Sequence, residues 1–282
     1  KIIFLLLDGV SYKDSWLVKN NMPCLETLTL DALNFHNHYS VTHNTAGNVS
    51  CLLSGLTSSL TGIMGQKQNF RDNNYGYIQS LLKKNDINTY FYSTCNTGKL
   101  HVKGDPFDFN EFKIYGPSLA EYKVLSKNIN LKYLNTIKKL DPLNNYLVFF
   151  HYIDTHAPFE TPLNQINKKD FPEIHKFLFT FENIFYRIPR RFLRKYIKPN
   201  TLLRNFYIYK EYPELKELNP IPLGPVLSAE RFKDFYNMCW QNEKLYNEYD
   251  KMRDLAARYL DQNLNFFINK VKDINSRDTI FF

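Results

Sequence analysis

Long apolar runs are missing from this chain of 282 residues. The longest run is Ile2–Leu7, which ends at Asp8, whereas a membrane-spanning helix needs about 18 to 20 consecutive apolar residues. A small-residue cleavage site is also missing after this run, so Ile2–Leu7 is interpreted as a strand at the start of a fragment and not as a signal peptide. No segment is therefore predicted to cross a bilayer.

Cysteine, glycine and proline are also scarce. The four cysteines show no Cys-x-x-Cys spacing, which argues against a structural zinc site or a disulfide scaffold and favours buried thiols. Glycine and proline number 10 and 13, too few for a collagen-like or low-complexity chain. Apolar residue types make up 44% of the sequence, enough for a core, and the length fits one large α/β domain or two small ones.

Segments of strand and helix character alternate along the chain. Ile2–Leu7 is predicted to be a fully buried strand, because a near-continuous aliphatic pattern is typical of a parallel sheet covered on both faces. Further strands are predicted at residues 89–93, 146–152 and 279–282, and helices at 23–35, 49–56, 75–84 and 244–274. This alternation predicts an α/β fold with a mostly parallel, doubly wound sheet flanked by helices.

The regular pattern stops between residues 160 and 231, where eight prolines interrupt aromatic and basic sequence. This stretch is interpreted as an insertion or lid within a single domain that covers residues 1–282 and lacks its C-terminal part. Within the insertion, residues 183–210 carry eight cations and no acid, and the net charge of the whole chain is +8. This basic block is either a solvated face or a rim that attracts a phosphorylated or sulfated substrate or an anionic lipid surface.

Two segments carry side chains suited to chemistry. Asp8 directly follows the first strand, and ligands of open parallel sheets bind beyond the carboxyl ends of the strands. Thr45 and Asn48 stand at the start of an apolar helix, where free backbone N–H groups and the helix dipole favour an anion. Taken alone, Asp8 is better explained as a helix cap or turn carboxylate. Together, the two segments indicate an anion site in which Thr45 is a candidate nucleophile.

Short motifs follow one another along nearly the whole chain, at residues 7–9, 22–25, 35–39, 45–55, 98–101, 107–112 and 151–158. In this order they resemble the sulfatase branch of the alkaline phosphatase superfamily. Residues 98–101 (Gly-Lys-Leu-His) are similar to the family's Gly-Lys-Trp-His element, and residues 151–158 contain a counterpart of its His-x-Pro element. Each match is weak alone, and their common order identifies the family. The resemblance implies an alkaline-phosphatase/sulfatase-like α/β fold with the Pro-rich basic insertion described above.

The nucleophile position departs from the sulfatase pattern. Sulfatases carry Cys-x-Pro-x-Arg there, with the cysteine converted to formylglycine, whereas residues 45–49 of this chain are Thr-Ala-Gly-Asn-Val. A threonine followed three residues later by asparagine is similar to the nucleotide pyrophosphatase and phosphodiesterase branch, and threonine nucleophiles also serve phosphoethanolamine transferases and lipoteichoic acid synthases. The resemblance therefore implies a metal-dependent phosphoesterase or phosphotransferase that forms a phosphothreonine intermediate at Thr45.

The resemblance also implies the other site residues. The expected catalytic residues are Thr45, Asn48, Lys99, His101 and His156. The expected metal ligands are Asp8, Thr45 and Asp154, completed by an Asp-His pair after Phe282 and holding one or two divalent ions (Zn, Mn, Mg or Ca). A hydroxyl nucleophile needs such an ion to lower its pKa, and the other groups would donate hydrogen bonds to phosphate oxygens or to the leaving group. The remaining histidines, His151 among them, are not assigned to the site.

The partner implied by the family and by the basic block is an anionic phosphate- or sulfate-ester substrate, lipid- or glycan-linked. An anionic membrane surface at residues 183–210 is a second candidate partner, and no nucleic acid duplex is expected. The family favours an extracytoplasmic or membrane-associated location.

Two alternative functions stay open. One is a sulfate-ester hydrolase, which the Gly-Lys-Leu-His element favours. The other is a non-catalytic sulfatase-like binding domain of a larger cell-surface or polymer-synthesis protein, which the lack of the Asp-His pair favours.

Overall fold

A parallel sheet forms the centre of the molecule. The computed structural model describes residues 1–10, 21–63, 78–93, 109–114, 126–140, 144–156, 169–174, 237, 239–274 and 279–282. The strands within these residues are β1 (Ile2–Leu7), β2 (Asn88–Ser93), β3 (Glu111–Ile114), β4 (Tyr146–Tyr152) and β5 (Ile280–Phe281). They lie in the order β3-β2-β4-β1-β5, and every neighbouring pair is parallel. This sheet confirms the predicted mostly parallel α/β fold.

The central strand β4 sets the register of its neighbours. All seven of its residues are buried, and its aromatic and aliphatic sequence suits a strand covered on both faces. His151 of β4 pairs with Leu6 of β1 on one side and with Ser93 of β2 on the other. The three strands therefore end nearly level, and the residues that follow them emerge at one edge of the sheet.

Helices cover both faces of this sheet. The described helices are α1 (Pro23–Thr29), α2 (Thr45–Ser54), α3 (Ser58–Thr61), α4 (Ile78–Lys83), α5 (Ser126–Lys139) and α6 (Glu243–Ile274). On one face, α5 and α6 pack against the strands, as in the edge-to-face contact of Phe150 with Phe267 at 5.3 Å between ring centroids. On the other face, α2 packs through Leu53 in a cluster that includes Phe149. Side chains of each strand alternate between these two cores.

Two buried carboxylates of α6 hold the starts of short helical segments elsewhere in the chain. Asp261 accepts hydrogen bonds from the backbone N–H groups of Cys24 (2.9 Å) and Leu25 (3.0 Å) at the start of α1. Glu248 accepts from the backbone of Glu173 (3.1 Å) and Ile174 (2.8 Å) in the same way. The first N–H groups of a helix have no partner within the helix, so α6 supplies the acceptors that these segments lack.

Helix α1 is shorter than the predicted 23–35. It ends at Thr29, and the apolar side chains of Leu33 and Phe35 that suggested a longer helix are 86% and 76% exposed. The Nδ2 group of Asn34 donates to the carbonyl of Thr29 at 3.0 Å. A side chain that bonds to the last carbonyl groups competes with further helical turns, which explains the early end.

Strand β1 is also less buried than predicted. Only Ile3 is fully buried, and the other residues of β1 are half-buried, because β1 lies next to the two-residue edge strand β5.

The apolar pattern predicts neither β3 nor α5. The first has only four residues, and the second is polar apart from the narrow face that carries Ile129, Tyr133 and Ile137.

Most of the predicted insertion at 160–231, including the basic block 183–210, lies outside the described residues. The single domain over residues 1–282 therefore stays a prediction. None of the described helices combines the length and the apolar character that a bilayer crossing requires.

Replacement of Asp261 by alanine tests the cap that α6 provides for α1. We expect Asp261→Ala to lower the free energy of unfolding by about 1 to 2 kcal/mol, because two backbone N–H groups lose their acceptors. Urea denaturation followed by circular dichroism measures this change. Asp273→Ala is the matched control on the same helix, since among the described residues Asp273 forms only an exposed ion pair with Lys270, and we expect a change within about 0.5 kcal/mol. Equal losses in both variants would contradict the capping role.

Candidate functional site

Polar side chains from three strands meet at the carboxyl edge of the sheet, on the face covered by α2. Leu6, His151 and Ser93 share one register row, and Asp8 lies two residues beyond Leu6 on the same face. The same face is apolar further back, where Phe4, Phe91 and Phe149 pack together. The change from aromatic to polar side chains therefore occurs at the strand ends, where ligands of such sheets bind.

The loop before α2 places Thr45 above this edge. Asn44 caps the helix, since its Oδ1 atom accepts from the backbone N–H of Gly47 at 2.7 Å. The Asn48 amide holds the same loop: its Nδ2 group donates to the carbonyls of Thr42 (2.7 Å) and Asn44 (3.1 Å), and its Oδ1 atom accepts from the Thr42 N–H (3.3 Å). Thr45 is consequently held in the first turn of α2 by contacts that do not involve its own side chain.

The Thr45 hydroxyl contacts the Asp8 carboxylate. Its Oγ1 atom lies 3.1 Å from Oδ2 and 3.3 Å from Oδ1 of Asp8, although 37 residues separate the two in sequence. Both residues are half-buried, so the pair is reachable from solvent and is not part of the core. The contact joins the two segments that the sequence marks as chemical.

Two buried side chains form a hydrogen-bonded pair that reaches Asp8 through His151. The Nε2 atom of His151 lies 3.3 Å from Oδ2 of Asp8, and the Nδ1 atom of the same ring lies 2.9 Å from the hydroxyl of Ser93. His151 is 1% exposed and Ser93 is 0% exposed. A continuous path of hydrogen bonds therefore runs from Ser93 through His151 and Asp8 to Thr45.

Gly9 allows the loops after β1 and β4 to approach each other closely. Its φ angle is +82°, and a Cβ atom at this position would lie 2.6 Å from the carbonyl oxygen of Thr155 and 2.8 Å from Cα of His156. The Thr155 hydroxyl also donates to the Asp8 carbonyl at 2.8 Å. This close contact brings His156 near Asp8.

These neighbours determine the charge state of Asp8. Burial raises the pKa of the Asp8 carboxyl, but the hydrogen bond and charge of His151, the charge of His156 and the hydrogen bond from Thr45 outweigh burial, so its pKa lies below the usual value. Asp8 is therefore ionised at neutral pH. An ionised carboxylate beside a hydroxyl group is suited to bind a cation.

The structure brings Asp8, Thr45 and His156 of the predicted set together. Asp154, predicted as a metal ligand, is fully buried and accepts from the Ser126 N–H at 2.9 Å, at the start of α5. It therefore lies towards the face of the sheet that α5 and α6 cover. The Asn48 amide is directed at its own loop, as described above. Lys99 and His101 lie outside the described residues, so their roles stay predictions.

Sequence reasoning left out His151 and Ser93. Both stand near the ends of strands, one in the predicted strand at 146–152 and one in that at 89–93. The alternation of side chains could have found them. Ser93 and His151 each stand two residues after the last apolar side chain on the same face of their strand, as Asp8 does. The sequence alone does not supply the strand register, which places Ser93, His151 and Asp8 side by side.

The donor types at this site suit a hard divalent cation. Carboxylate and hydroxyl oxygens are ligands of Mg²⁺, Ca²⁺ and Mn²⁺, and zinc also binds carboxylate oxygens and imidazole nitrogens. Asp8 and Thr45 supply two such oxygens within 3.1 Å of each other. Among the residues that the structure describes, no group of three or more His, Cys, Asp and Glu side chains is arranged to hold a metal ion. The described donors therefore fit part of a cation site.

Replacement of Gly9 by alanine tests the close contact between the two loops. Alanine would carry the cost of a positive φ angle, about 1 to 2 kcal/mol, and its Cβ would overlap backbone atoms of Thr155 and His156, which costs about 1 to 3 kcal/mol more. Gly55→Ala is the matched control, because Gly55 has a φ of +68° and, apart from its chain neighbours, none of the described residues has an atom within 4 Å of the added Cβ. We expect urea denaturation to show the larger loss for Gly9→Ala. Equal losses would argue against the contact.

Replacement of Asp8 by asparagine tests the charge state of Asp8. Because the pKa of Asp8 is lowered on folding, its ionised form contributes stability that is present above the unfolded pKa of about 3.9 and is lost as pH falls through the folded pKa. We therefore expect the unfolding free energy of the wild type, relative to Asp8→Asn, to decrease as pH falls from about 5 to 3. Urea denaturation across this range measures the difference. A difference that increases on acidification would contradict the assignment.

Comparison with known proteins identifies the family of this chain. The model of the family described as Sulfatase matches residues 1–201, which include Asp8, Thr45 and His156. A search of curated proteins found no match.

Three solved structures share the fold at low sequence identity. A protein solved in complex with its substrate D-glucosamine-2-N,6-O-disulfate has a TM-score of 0.61 at 16% identity, over 99% of this chain and 64% of the other. The phosphonate monoester hydrolase of Agrobacterium radiobacter has a TM-score of 0.59 at 12% identity, over 99% and 61%. The lipoteichoic acid synthase LtaP from Listeria monocytogenes has a TM-score of 0.55 at 15% identity, over 99% and 54%. This chain spans less than two thirds of each neighbour's length. The model of the Sulfatase family matches most of the residues of this chain, so the chain belongs to the sulfatase family.

Proposed function

We propose that this protein is a metal-dependent phosphoesterase or phosphotransferase in which Thr45 is the nucleophile. The observation that supports this most directly is the Thr45 hydroxyl at 3.1 Å from the ionised Asp8 carboxylate. The hydroxyl stands where sulfatases carry the cysteine that becomes formylglycine. A threonine cannot be converted in that way, so a catalytic family member with threonine at this position would use its hydroxyl directly.

A threonine hydroxyl is a weak nucleophile at neutral pH and has to be activated. A divalent cation (Zn, Mn, Mg or Ca) bound through Asp8 and Thr45 would lower the pKa of the hydroxyl and offset charge on the nonbridging phosphate oxygens. Asp8 would hold the hydroxyl in position. Asp154 stays a predicted ligand, although its contact with the start of α5 places it towards the other face of the sheet.

In the proposed reaction the Thr45 oxygen attacks phosphorus in line with the leaving group. A bond from phosphorus to the threonine oxygen forms as the Thr45 hydroxyl gives up its proton to solvent, the bond from phosphorus to the leaving oxygen breaks, and the leaving oxygen takes up a proton. The phosphothreonine is then cleaved by water in a hydrolase or by an acceptor hydroxyl in a transferase. His156 is a candidate donor to the leaving oxygen, and Lys99 and His101 are candidate donors to the phosphate oxygens. Asn48 stays a predicted donor, although its amide group donates to two carbonyls of its own loop.

The proposed substrate is an anionic phosphate ester, lipid- or glycan-linked. Neighbours whose names refer to lipoteichoic acid synthesis and to phosphonate monoester hydrolysis support this class. The basic block at residues 183–210 would attract such a substrate or an anionic membrane surface. An extracytoplasmic or membrane-associated location is consistent with these substrates and is part of the proposal.

Sulfate-ester hydrolysis is the second candidate function. It is favoured by the family model described as Sulfatase and by the neighbour that was solved with a disulfated glucosamine. The same hydroxyl and cation could act on sulfur in place of phosphorus. A non-catalytic binding domain is the third candidate, and it requires only that the site hold the ester without cleaving it.

Replacement of Thr45 by alanine tests the proposed nucleophile. We expect Thr45→Ala to lower kcat/KM for aryl phosphodiesters and phosphomonoesters, assayed with Mn²⁺ or Zn²⁺, by at least about 10³-fold, because the attacking oxygen is lost. Thr57→Ala is the matched control, since Thr57 is exposed and its hydroxyl contacts only Ser59 among the described residues. This control should retain wild-type activity.

The same assay separates the three functions. Turnover of phosphate esters that is lost in Thr45→Ala supports the proposal, and turnover of sulfate esters alone would support the second candidate. Equal activity in wild type and Thr45→Ala would exclude Thr45 as the nucleophile. A protein that binds the esters and turns over neither class would be a binding domain.

A further inference from the structure

The hydrogen-bonded path behind Asp8 has no role in the reaction outlined above. We propose that Ser93 and His151 are positioning residues that fix the orientation of the Asp8 carboxylate towards Thr45. The inference rests on the proposed function, in which Asp8 holds the hydroxyl and a cation. It adds two buried side chains, from strands β2 and β4, to the residues on which that function depends.

The chemistry of the three groups fixes the direction of the path. A carboxylate can only accept hydrogen bonds, so Nε2 of His151 must carry the hydrogen that points to Oδ2 of Asp8. In the neutral imidazole the other nitrogen, Nδ1, is then an acceptor, and the Ser93 hydroxyl at 2.9 Å donates to it. Ser93 thereby selects the tautomer of His151 that can hold Asp8.

The surroundings keep this path in one conformation. Ser93 and His151 are almost completely buried, and their strands pair directly with each other at this row. The His151 carbonyl also accepts from the hydroxyl of Tyr133 at 3.2 Å. Asp8 and Thr45 are the members of the path that reach the solvent, and 14% of the Asp8 side chain is exposed. The orientation of the exposed carboxylate is therefore determined from inside the sheet.

A purely structural role does not explain Ser93 and His151 well. The face of the sheet that they extend is otherwise filled by aromatic rings such as Phe91 and Phe149, and an apolar side chain at 151 would continue that packing. A buried imidazole costs free energy unless its nitrogens are hydrogen-bonded. Side chains that orient a metal ligand from behind typically change metal affinity or activity 10- to 100-fold when they are removed.

The tautomer of His151 tests the path without any metal. Long-range ¹H–¹⁵N correlation spectra of the purified protein at about pH 8, where imidazoles are mostly neutral, report which ring nitrogen carries the hydrogen, and the spectrum of His151→Phe identifies the signal. We expect the Nε2–H form in the wild type and a reduced preference for it in Ser93→Ala. An Nδ1–H form in the wild type would overturn the proposal.

The affinity for Mn²⁺, measured by calorimetry, tests whether Ser93 and His151 support cation binding at Asp8. We expect Ser93→Ala and His151→Phe to weaken Mn²⁺ binding about 10-fold or more, and His151→Gln, which restores an N–H donor near the Nε2 position, to recover part of the loss. Ser50→Ala is the matched control, because Ser50 is also fully buried and its hydroxyl contacts only the Ala46 carbonyl among the described residues. Its Mn²⁺ affinity should stay within about twofold of the wild type.

The outcomes separate this inference from the proposed function. Equal Mn²⁺ affinity in Ser93→Ala and Ser50→Ala, with both variants folded by circular dichroism, would overturn the positioning role while metal binding itself stands. A full-length wild-type protein that binds no Mn²⁺ but shows the Nε2–H tautomer would contradict the proposed metal dependence and leave the hydrogen-bonded path supported. Because Ser93→Ala removes a single oxygen atom, the test does not depend on whether the larger change at His151 is tolerated.

Discussion

The site depends on the parallel register of β1, β4 and β2. Side chains alternate along a strand, so a shift of one residue between β1 and β4 would break the row of Leu6, His151 and Ser93 and place Asp8 against a different partner. The aromatic residues behind this row hold the register, because they pack against α2 only when they face it. The geometry of the polar edge is thus a consequence of how the apolar core of the same strands is packed.

Buried carboxylates in this molecule fall into two groups. Asp154, Glu248 and Asp261 accept hydrogen bonds from backbone N–H groups at the starts of helical segments, and burial raises the pKa of Asp261 despite those bonds. Asp8 accepts from side chains, and its pKa is lowered. Among these four described carboxylates, Asp8 combines a lowered pKa with a neighbouring hydroxyl and a side chain that is 14% exposed. The difference explains why an acid near the end of a strand is not by itself a sign of chemistry.

Sequence patterns predict the parts of this fold that are buried on both sides. The predicted strand at 146–152 matches β4 because every residue there is buried, whereas the predicted helix at 23–35 is too long because Leu33 and Phe35 are exposed. The family resemblance points to Asp8 and Thr45, which do lie in contact. It does not find His151, whose bond to Asp8 spans 143 residues and depends on strand register. Asp154 stands three residues from His151, beyond the end of β4, and its contact with the Ser126 N–H places it towards the opposite face of the sheet.

Asp8 and Thr45 are held by two separate parts of the structure. Thr45 is fixed by the capped loop before α2, where Gly47 packs so closely that a Cβ atom would lie 2.5 Å from the Thr42 methyl group and 2.9 Å from the Ile63 carbonyl oxygen. Asp8 is fixed by its contacts with β4 and with the loop that follows it. The two parts meet at one contact of 3.1 Å. Neither group has to be ordered by a ligand, because the fold has already lost that conformational freedom. A hydroxyl nucleophile, which is weaker than a thiolate, benefits most from such preorganisation, since its reactivity depends on the charges placed beside it.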